Sequence, residues 1–243
     1  MSLTDVWWLQ QTEADVPPGN QWLSRAEADR AAGFRIPKRR NDWRLGRWTA
    51  KCAVSIYPGR EQGASSLSQI EVRPAPSGAP EVFISNLAAD ITISLSHRAG
   101  AAICAVAPAG VQLGCDVELI EPHSDAFIRD YFTAEEQAMV DNCDEEEREA
   151  LATLIWSAKE SALKALRTGL RDDTRSVSLC TTGYLPGNNC WTELGIRIAG
   201  ARLLSGWWQR SERVLRTIVA EPKARLPIAL AELAGAAEPE TDF

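Results

Sequence analysis

No run of 18 apolar residues occurs in the 243-residue chain, so no segment is suited to cross a membrane as a helix. The first 20 residues carry Asp5, Glu13 and Asp15 and lack a basic start joined to an apolar stretch, so no secretory leader is legible. Cysteine occurs six times, at 52, 104, 115, 143, 180 and 190, and never as C-x-x-C, so neither a zinc site nor a disulfide framework is suggested. Reduced thiols in a cytoplasmic protein are the expectation. Excess positive charge is also missing. The formal net charge is −7 and the pI near 5.1, which argues against general nucleic-acid binding. There is no P-loop, G-x-G-x-x-G, kinase signature or G-x-S-x-G. Repeats of 20–50 residues are absent too. What remains is ordinary: 45% hydrophobic and 24% charged residues exclude collagen-like, coiled-coil and disordered chains. The length suits one large domain or two small ones with a real core.

The charge is unevenly spread. Residues 1–108 hold 12 Lys/Arg and 10 Asp/Glu, and the rest hold 14 and 23. From Arg35 to Lys51, seven cations (Arg35, Lys38, Arg39, Arg40, Arg44, Arg47, Lys51) face Asp42 alone, a candidate anion site. A longer repeat organises the chain. Ser24-Arg25-Ala26-Glu27 and Thr133-Ala134-Glu135-Glu136 are capping boxes 109 residues apart. Trp48-Thr49-Ala50-Lys51 and Trp156-Ser157-Ala158-Lys159 stand 108 apart. The same order at one offset predicts two similar halves, residues 1–108 and 109–225, followed by a loosely held tail, 226–243.

Local patterns predict helices over Pro37–Tyr57 and Glu147–Thr168, the second ending before Gly169. Leu45, Trp48, Cys52 and Ile56 form the apolar face of the first helix. Arg40, Arg44, Arg47 and Lys51 share another face, ordinarily a solvated one. Strands are expected at Ile91–Leu95, Ala101–Ala107, Val111–Leu119, Val177–Leu179, Ile196–Leu204 and Val214–Ala220, with loop over 60–80. Helices and strands that do not strictly alternate favour an α+β fold.

Three places could carry chemistry. In Gly114-Cys115-Asp116-Val117-Glu118-Leu119 the two acids sit at i and i+2 of a strand and share a face. Crowded carboxylates call for a cation or a proton, and a hard ion such as Mg²⁺ matches. In Trp156-Ser157-Ala158-Lys159-Glu160-Ser161-Ala162-Leu163-Lys164, Trp156, Glu160 and Lys164 step by four along one face, and the first half has Cys52 where Glu160 stands. Ser94-Leu95-Ser96-His97 ends a strand and could meet a phosphate. His123 reads as surface. The acidic run Asp141 to Glu149 reads as solvated loop and helix start. Together these parts suit a phosphate-bearing substrate with Mg²⁺ across its anhydride.

In combination the motifs resemble the 4′-phosphopantetheinyl transferases of the Sfp type. The resemblance rests on Gly114-Cys115-Asp116-Val117-Glu118, on Phe132-Thr133-Ala134-Glu135-Glu136, on Trp156 to Lys164, on Ser94-Leu95-Ser96-His97, and on Pro37-Lys38-Arg39-Arg40 with Gly46-Arg47. It implies a pseudo-two-fold duplication of two α+β halves, acting as a monomer, with the active site and coenzyme A in the cleft between them. It implies transfer of phosphopantetheine from coenzyme A to a serine of an apo acyl or peptidyl carrier, releasing adenosine 3′,5′-bisphosphate. The carriers would be those of fatty-acid, polyketide or peptide synthesis. Asp116, Glu118 and Glu160 would hold Mg²⁺. Glu160, or a metal-bound hydroxide it positions, would take the serine proton. Lys164 and His97 would neutralise the diphosphate, with Ser96 and Lys159 nearby. Arg39, Arg47 and Arg73 would hold the 3′-phosphate side. Many members have G-K-P where this chain has Gly78-Ala79-Pro80, so one cationic contact is missing there. Two alternatives stay open: another Mg²⁺ enzyme acting on a nucleotide diphosphate, and a coenzyme A-binding protein without catalysis.

Overall fold

A computed structural model describes residues 3–58, 66–169, 172–182, 189–198 and 202–235. Both capping boxes form. Ser24 caps α1 (Arg25–Ala32) and Thr133 caps α4 (Ala134–Asp141); in each, the third helical residue is a Glu whose carboxylate bonds back to the cap's N–H. Pro37 opens the long helix α2 (Pro37–Ile56), where its missing N–H costs nothing. The second long helix, α5, runs Arg148–Ala165. Between α4 and the preceding strands lies the short α3 (Asp125–Tyr131).

The strands form three sheets. In one, β1 (Trp7–Thr12), β5 (Ile91–Arg98) and β6 (Ala101–Pro108) join a short β12 (Ile228–Ala229) in the order β12-β1-β6-β5. In the second, β7 (Gln112–Leu119), β8 (Val177–Thr182), β9 (Thr192–Ile198), β10 (Leu203–Ser211) and β11 (Val214–Glu221) take the order β7-β11-β10-β9-β8. The third, β2 (Ile70–Pro74), β3 (Pro80–Ile84) and β4 (Leu87–Ala88), is a small meander. Helix α2 lays Ala50, Ala53 and Val54 on the first sheet, and α5 lays Leu154, Ile155, Ala158 and Ala162 on the second. The edges β5 and β7 meet through side chains: Cys115 N–H donates to Ser94 Oγ (2.9 Å) and the Cys115 thiol to the Ser94 carbonyl (3.1 Å).

Two buried polar assemblies brace the helices. Lys51 Nζ lies 2.5 Å from Glu27 Oε2 and donates to the carbonyls of Trp22 and Leu67; Glu27 Oε1 accepts from Val72 N–H of β2. Lys159 Nζ lies 2.5 Å from Glu136 Oε2 and donates to the Val177 carbonyl; Glu136 Oε1 accepts from Leu179 N–H of β8. Each pair joins a capping-box Glu, a mid-helix Lys and a strand. Burial pulls both ammonium groups down in pKa, and the partner glutamate opposes it.

Several expectations need correction. The basic face of α2 is not uniformly solvated, because Arg40 is exposed whereas Lys51 is fully buried. Residues 70–74 are strand rather than loop, and part of the expected 60–80 loop lies outside the described residues. The strand expected at Ile196–Leu204 is two, β9 and β10, which pair antiparallel. Residues 228–235 are not loose: Ile228 and Ala229 pair with Trp7 and Trp8, and α6 (Leu230–Gly235) buries Leu230. The strand β1 had no alternating signal and was not foreseen. The described cysteines are all free, and no described helix is long and apolar enough to cross a membrane.

Candidate functional site

Asp116 projects from β7, the edge strand at the junction with β5. It is buried, and four cations or donors reach it or Glu118. Lys164 Nζ of α5 sits 2.7 Å from Asp116 Oδ1, and Ser96 Oγ of β5 donates to the same oxygen at 2.7 Å. Asp116 Oδ2 is buried without a partner among the described residues, an acceptor left facing a low-dielectric space. Glu160, one turn before Lys164, places Oε2 4.0 Å from the ammonium. Glu118, two residues along β7, accepts from Trp156 Nε1 (3.3 Å) and pairs with Arg98 Nε (3.2 Å), whose guanidinium also holds Glu121.

Gly114 makes this closeness possible. A Cβ on it would lie 1.8 Å from the Ser161 carbonyl oxygen of α5, so any side chain would push the helix off the strand. With glycine there, α5 lies against β7 and brings Glu160 and Lys164 to Asp116. Ser157 and Ser161 complete the seat by bonding Thr217 of β11.

The electrostatics follow from crowding. Burial, and then the charge of Asp116, pushes the Glu118 carboxyl up to about 7. Burial also raises Glu160; Lys164 opposes this and Asp116 adds to it. Burial tends to lower Lys164, yet Asp116, then Cys115 and Glu160, hold its ammonium above the ordinary range. The site therefore favours added positive charge. Among the described residues, no three His, Cys, Asp or Glu side chains close around one point at ligating distance; Lys164 and Arg98 neutralise the acids instead. The donor set still fits a hard divalent ion, because it offers carboxylate oxygens only, one of them the partnerless Asp116 Oδ2.

Beside this cluster opens a cavity of about 630 Å³, a size suited to a cofactor. Its walls are the β2–β3 turn (Pro76–Pro80), Thr92–Leu95 of β5, Leu113 of β7 and the end of α5 with Lys164 and Arg167–Gly169.

A family model described as the 4′-phosphopantetheinyl transferase superfamily matches residues 112–203, the segment that supplies β7 and α5. Over that segment the chain is similar to the 4′-phosphopantetheinyl transferase superfamily. It is similar to the 4′-phosphopantetheinyl transferase HetI of Nostoc sp. (strain PCC 7120), 27% identical over 164 residues and covering 67% of each chain. It is also similar to slr0495 of Synechocystis sp. (strain PCC 6803), provisionally given the same activity in its name, at 24% identity over 185 residues covering 74% of this chain and 73% of that one.

The residues singled out in the sequence fall into two groups. Asp116, Glu118, Glu160, Lys164 and Ser96 stand together. His97 is exposed at the end of β5. The others stand apart from the acids. Lys159 is fully buried and turned to Glu136, since the residue before Glu160 on a helix points about a hundred degrees away. Arg47 lies over Trp43 and 3.8 Å from Glu27, only 14% exposed. Arg73 is tied to Glu71 and Asn86 and lies over Phe83, and Arg39 is exposed on α2. His123, read as surface, instead stacks on Phe127 and meets Thr153 at 3.2 Å. Arg98 and Arg167 were not foreseen as site residues. Arg98 had a signal in its place beside His97; Arg167 had none.

Proposed function

We propose that the chain transfers the 4′-phosphopantetheine group of coenzyme A to a serine hydroxyl of an apo acyl or peptidyl carrier protein, releasing adenosine 3′,5′-bisphosphate. The carrying observation is the Asp116–Lys164 pair at 2.7 Å, with Glu160 on the same helix face, at the mouth of a coenzyme-sized cavity between two sheet edges. The reading includes two duplicated halves, residues 1–108 and 109–225, with this junction as their cleft.

In this reading Asp116, Glu118 and Glu160 hold Mg²⁺, whose chemistry when bound is to offset the charge of the diphosphate. Lys164 and His97 present positive charge to the same group, and Ser96 orients Asp116. The serine oxygen of the carrier bonds to the phosphorus that bears pantetheine, the bond to the nucleotide phosphate breaks, and Glu160 takes the serine proton. Its raised affinity for protons suits that task. Transfer is a single displacement. Cys115, the nearest thiol, is buried with its pKa pushed up to about 11 by burial, and Ser94 and Ser96 are engaged with Cys115 and Asp116, so none serves as a covalent nucleophile.

The test is intact mass spectrometry of an apo carrier incubated with the protein, coenzyme A and Mg²⁺. A gain of one phosphopantetheine on the carrier serine, lost with Glu160→Ala, is the expected result. Coenzyme A cleaved equally fast without a carrier would replace the reading with hydrolysis. No modification of any of several carriers, with coenzyme A still bound, would replace it with a binding protein.

A further inference from the structure

Helix α5 ends in an unusual way. Its last turn is closed by two backbone bonds, Arg167 N–H to the Lys164 carbonyl (3.0 Å) and Thr168 N–H to the Leu163 carbonyl (3.1 Å). This is the paired pattern in which the residue after the cap takes a left-handed conformation, normally glycine's place. Here it is Arg167, at φ +59°, and glycine comes two residues later at Gly169. A long side chain at such a φ is disfavoured, and glycine would take the turn without strain.

The side chain does nothing for the helix in return. A cation at a helix end can stabilise it by bonding the last carbonyls. Among the described residues Arg167 makes no side-chain hydrogen bond and no ion pair, and it is exposed. It lines the 630 Å³ cavity instead. The charged residues of that lining are Lys164 and Arg167, both from the end of α5; the rest are Pro, Ser, Gly, Ala, Thr, Ile and Leu. Lys164 is already committed to Asp116. Among the described residues the cavity thus has a cation not taken up by an acid, no acid of its own, and a backbone held in a costly shape at the residue that supplies the cation.

We infer that Arg167 is a phosphate-binding residue of this cavity, a specificity determinant for the anionic ligand that enters beside Lys164. The inference rests on the proposed function for the identity of that ligand, the nucleotide end of coenzyme A. The shared chemistry is a phosphate oxygen accepting from the guanidinium. The group is the diphosphate or the 3′-phosphate, and the ligand series below separates them.

Calorimetric binding of coenzyme A, dephospho-coenzyme A and adenosine 3′,5′-bisphosphate to the full chain and to Arg167→Gly is the test. Glycine keeps the left-handed turn, so Tm should stay level or rise while coenzyme A affinity falls about tenfold or more. Loss for coenzyme A alone, with dephospho-coenzyme A unaffected, places Arg167 on the 3′-phosphate; similar loss for both places it on the diphosphate; each supports the inference. Ala79→Lys in the Arg167→Gly background puts a cation on another wall of the same cavity. Recovery there shows that charge suffices, and affinity that stays low shows that the guanidinium shape is needed; both keep the contact. Affinities within about twofold for all three ligands would overturn the inference, as would a fall in Tm of more than about 4 °C, which would make Arg167 a structural cap. A parent protein that binds none of the ligands overturns it as well. Binding is read without a carrier. A parent that binds coenzyme A but modifies no carrier therefore defeats the proposed transfer alone, and an Arg167→Gly protein that binds normally yet loses no transfer defeats this inference alone.

Discussion

The two long helices carry the same brace and different chemistry. Along α2 the order is Trp48, Thr49, Ala50, Lys51; along α5 it is Trp156, Ser157, Ala158, Lys159; and each Lys is sunk onto the Glu of its own capping box, which in turn holds a strand N–H. One residue beyond the lysine the helices part. Cys52 stands against Glu160, and four further on Ile56 stands against Lys164. The lesson is a division of labour within one turn of helix. The buried lysine fixes where the helix lies, and its neighbour decides whether anything reactive faces the junction. Conformity to the shared pattern therefore marks the fold, and departure from it marks the chemistry.

The largest effect should come from breaking the chemistry on the one side that has it. Asp116→Ala, or a chelator added to the parent, should lower phosphopantetheine transfer at least about a thousandfold, and Asp116→Ala should also lower the unfolding midpoint, because it leaves the Lys164 ammonium without its buried acid. Transfer assayed by carrier mass, beside thermal denaturation, reads both. Full activity in chelator would remove the metal from the proposal.

Breaking the brace should act on stability, and on both sides. Lys159→Met leaves the buried Glu136 unpaired, at a cost of about 3–5 kcal/mol by denaturant unfolding, and Lys51→Met, which leaves Glu27 with Arg47 at 3.8 Å, should cost somewhat less. Pairing each with Glu27→Gln or Glu136→Gln should restore much of it. Folded, stable Lys159→Met protein that lost coenzyme A affinity would instead put Lys159 on the ligand.

A smaller loss is expected for Arg47→Ala. Its guanidinium, drawn down in pKa chiefly by burial, lies over Trp43 and beside Glu27. Removal should cost about 1–2 kcal/mol of stability. Coenzyme A and dephospho-coenzyme A should weaken together; selective weakening of coenzyme A would return Arg47 to the 3′-phosphate. The smallest effect sharpens the comparison from the other direction. Cys52→Glu should leave one Mg²⁺ per chain by calorimetry, since a single new acid on α2 is too few for a hard ion.

Much of this was legible because it is local. A capping box, a proline at a helix start and acids at i and i+2 of a strand each declare themselves within a few residues, and Lys164 stands 2.7 Å from Asp116 and 4.0 Å from Glu160. What escaped depends on distant partners. Spacing puts Lys51 on a basic face and the resemblance puts Lys159 near the diphosphate, but the burial of both follows from Glu27 and Glu136, 24 and 23 residues earlier in the chain. Arg73, expected on the 3′-phosphate side, is held by Glu71 two residues earlier on β2 and by Asn86 beyond β3. The end of α5 was assigned to Gly169 because glycine is the usual stop, whereas the chain turns left-handed at Arg167. Strand β1, with Trp7 and Trp8 in succession, shows no two-residue period because both of its faces are partly covered.

The path of the chain has a mechanical consequence. It begins in the first sheet, crosses to the second through residues 109–111 after β6, and returns through 222–227 to lay β12 on β1. The return is itself tied down, with Thr4 bridged to Ala224 and Arg225 paired to Asp5 at 2.7 Å. Two short tethers a few residues long join the sheets, so any displacement along the β5–β7 seam is limited to what both tethers allow. A cut between β11 and β12 would release one of them and leave the sheets joined through residues 109–111 alone.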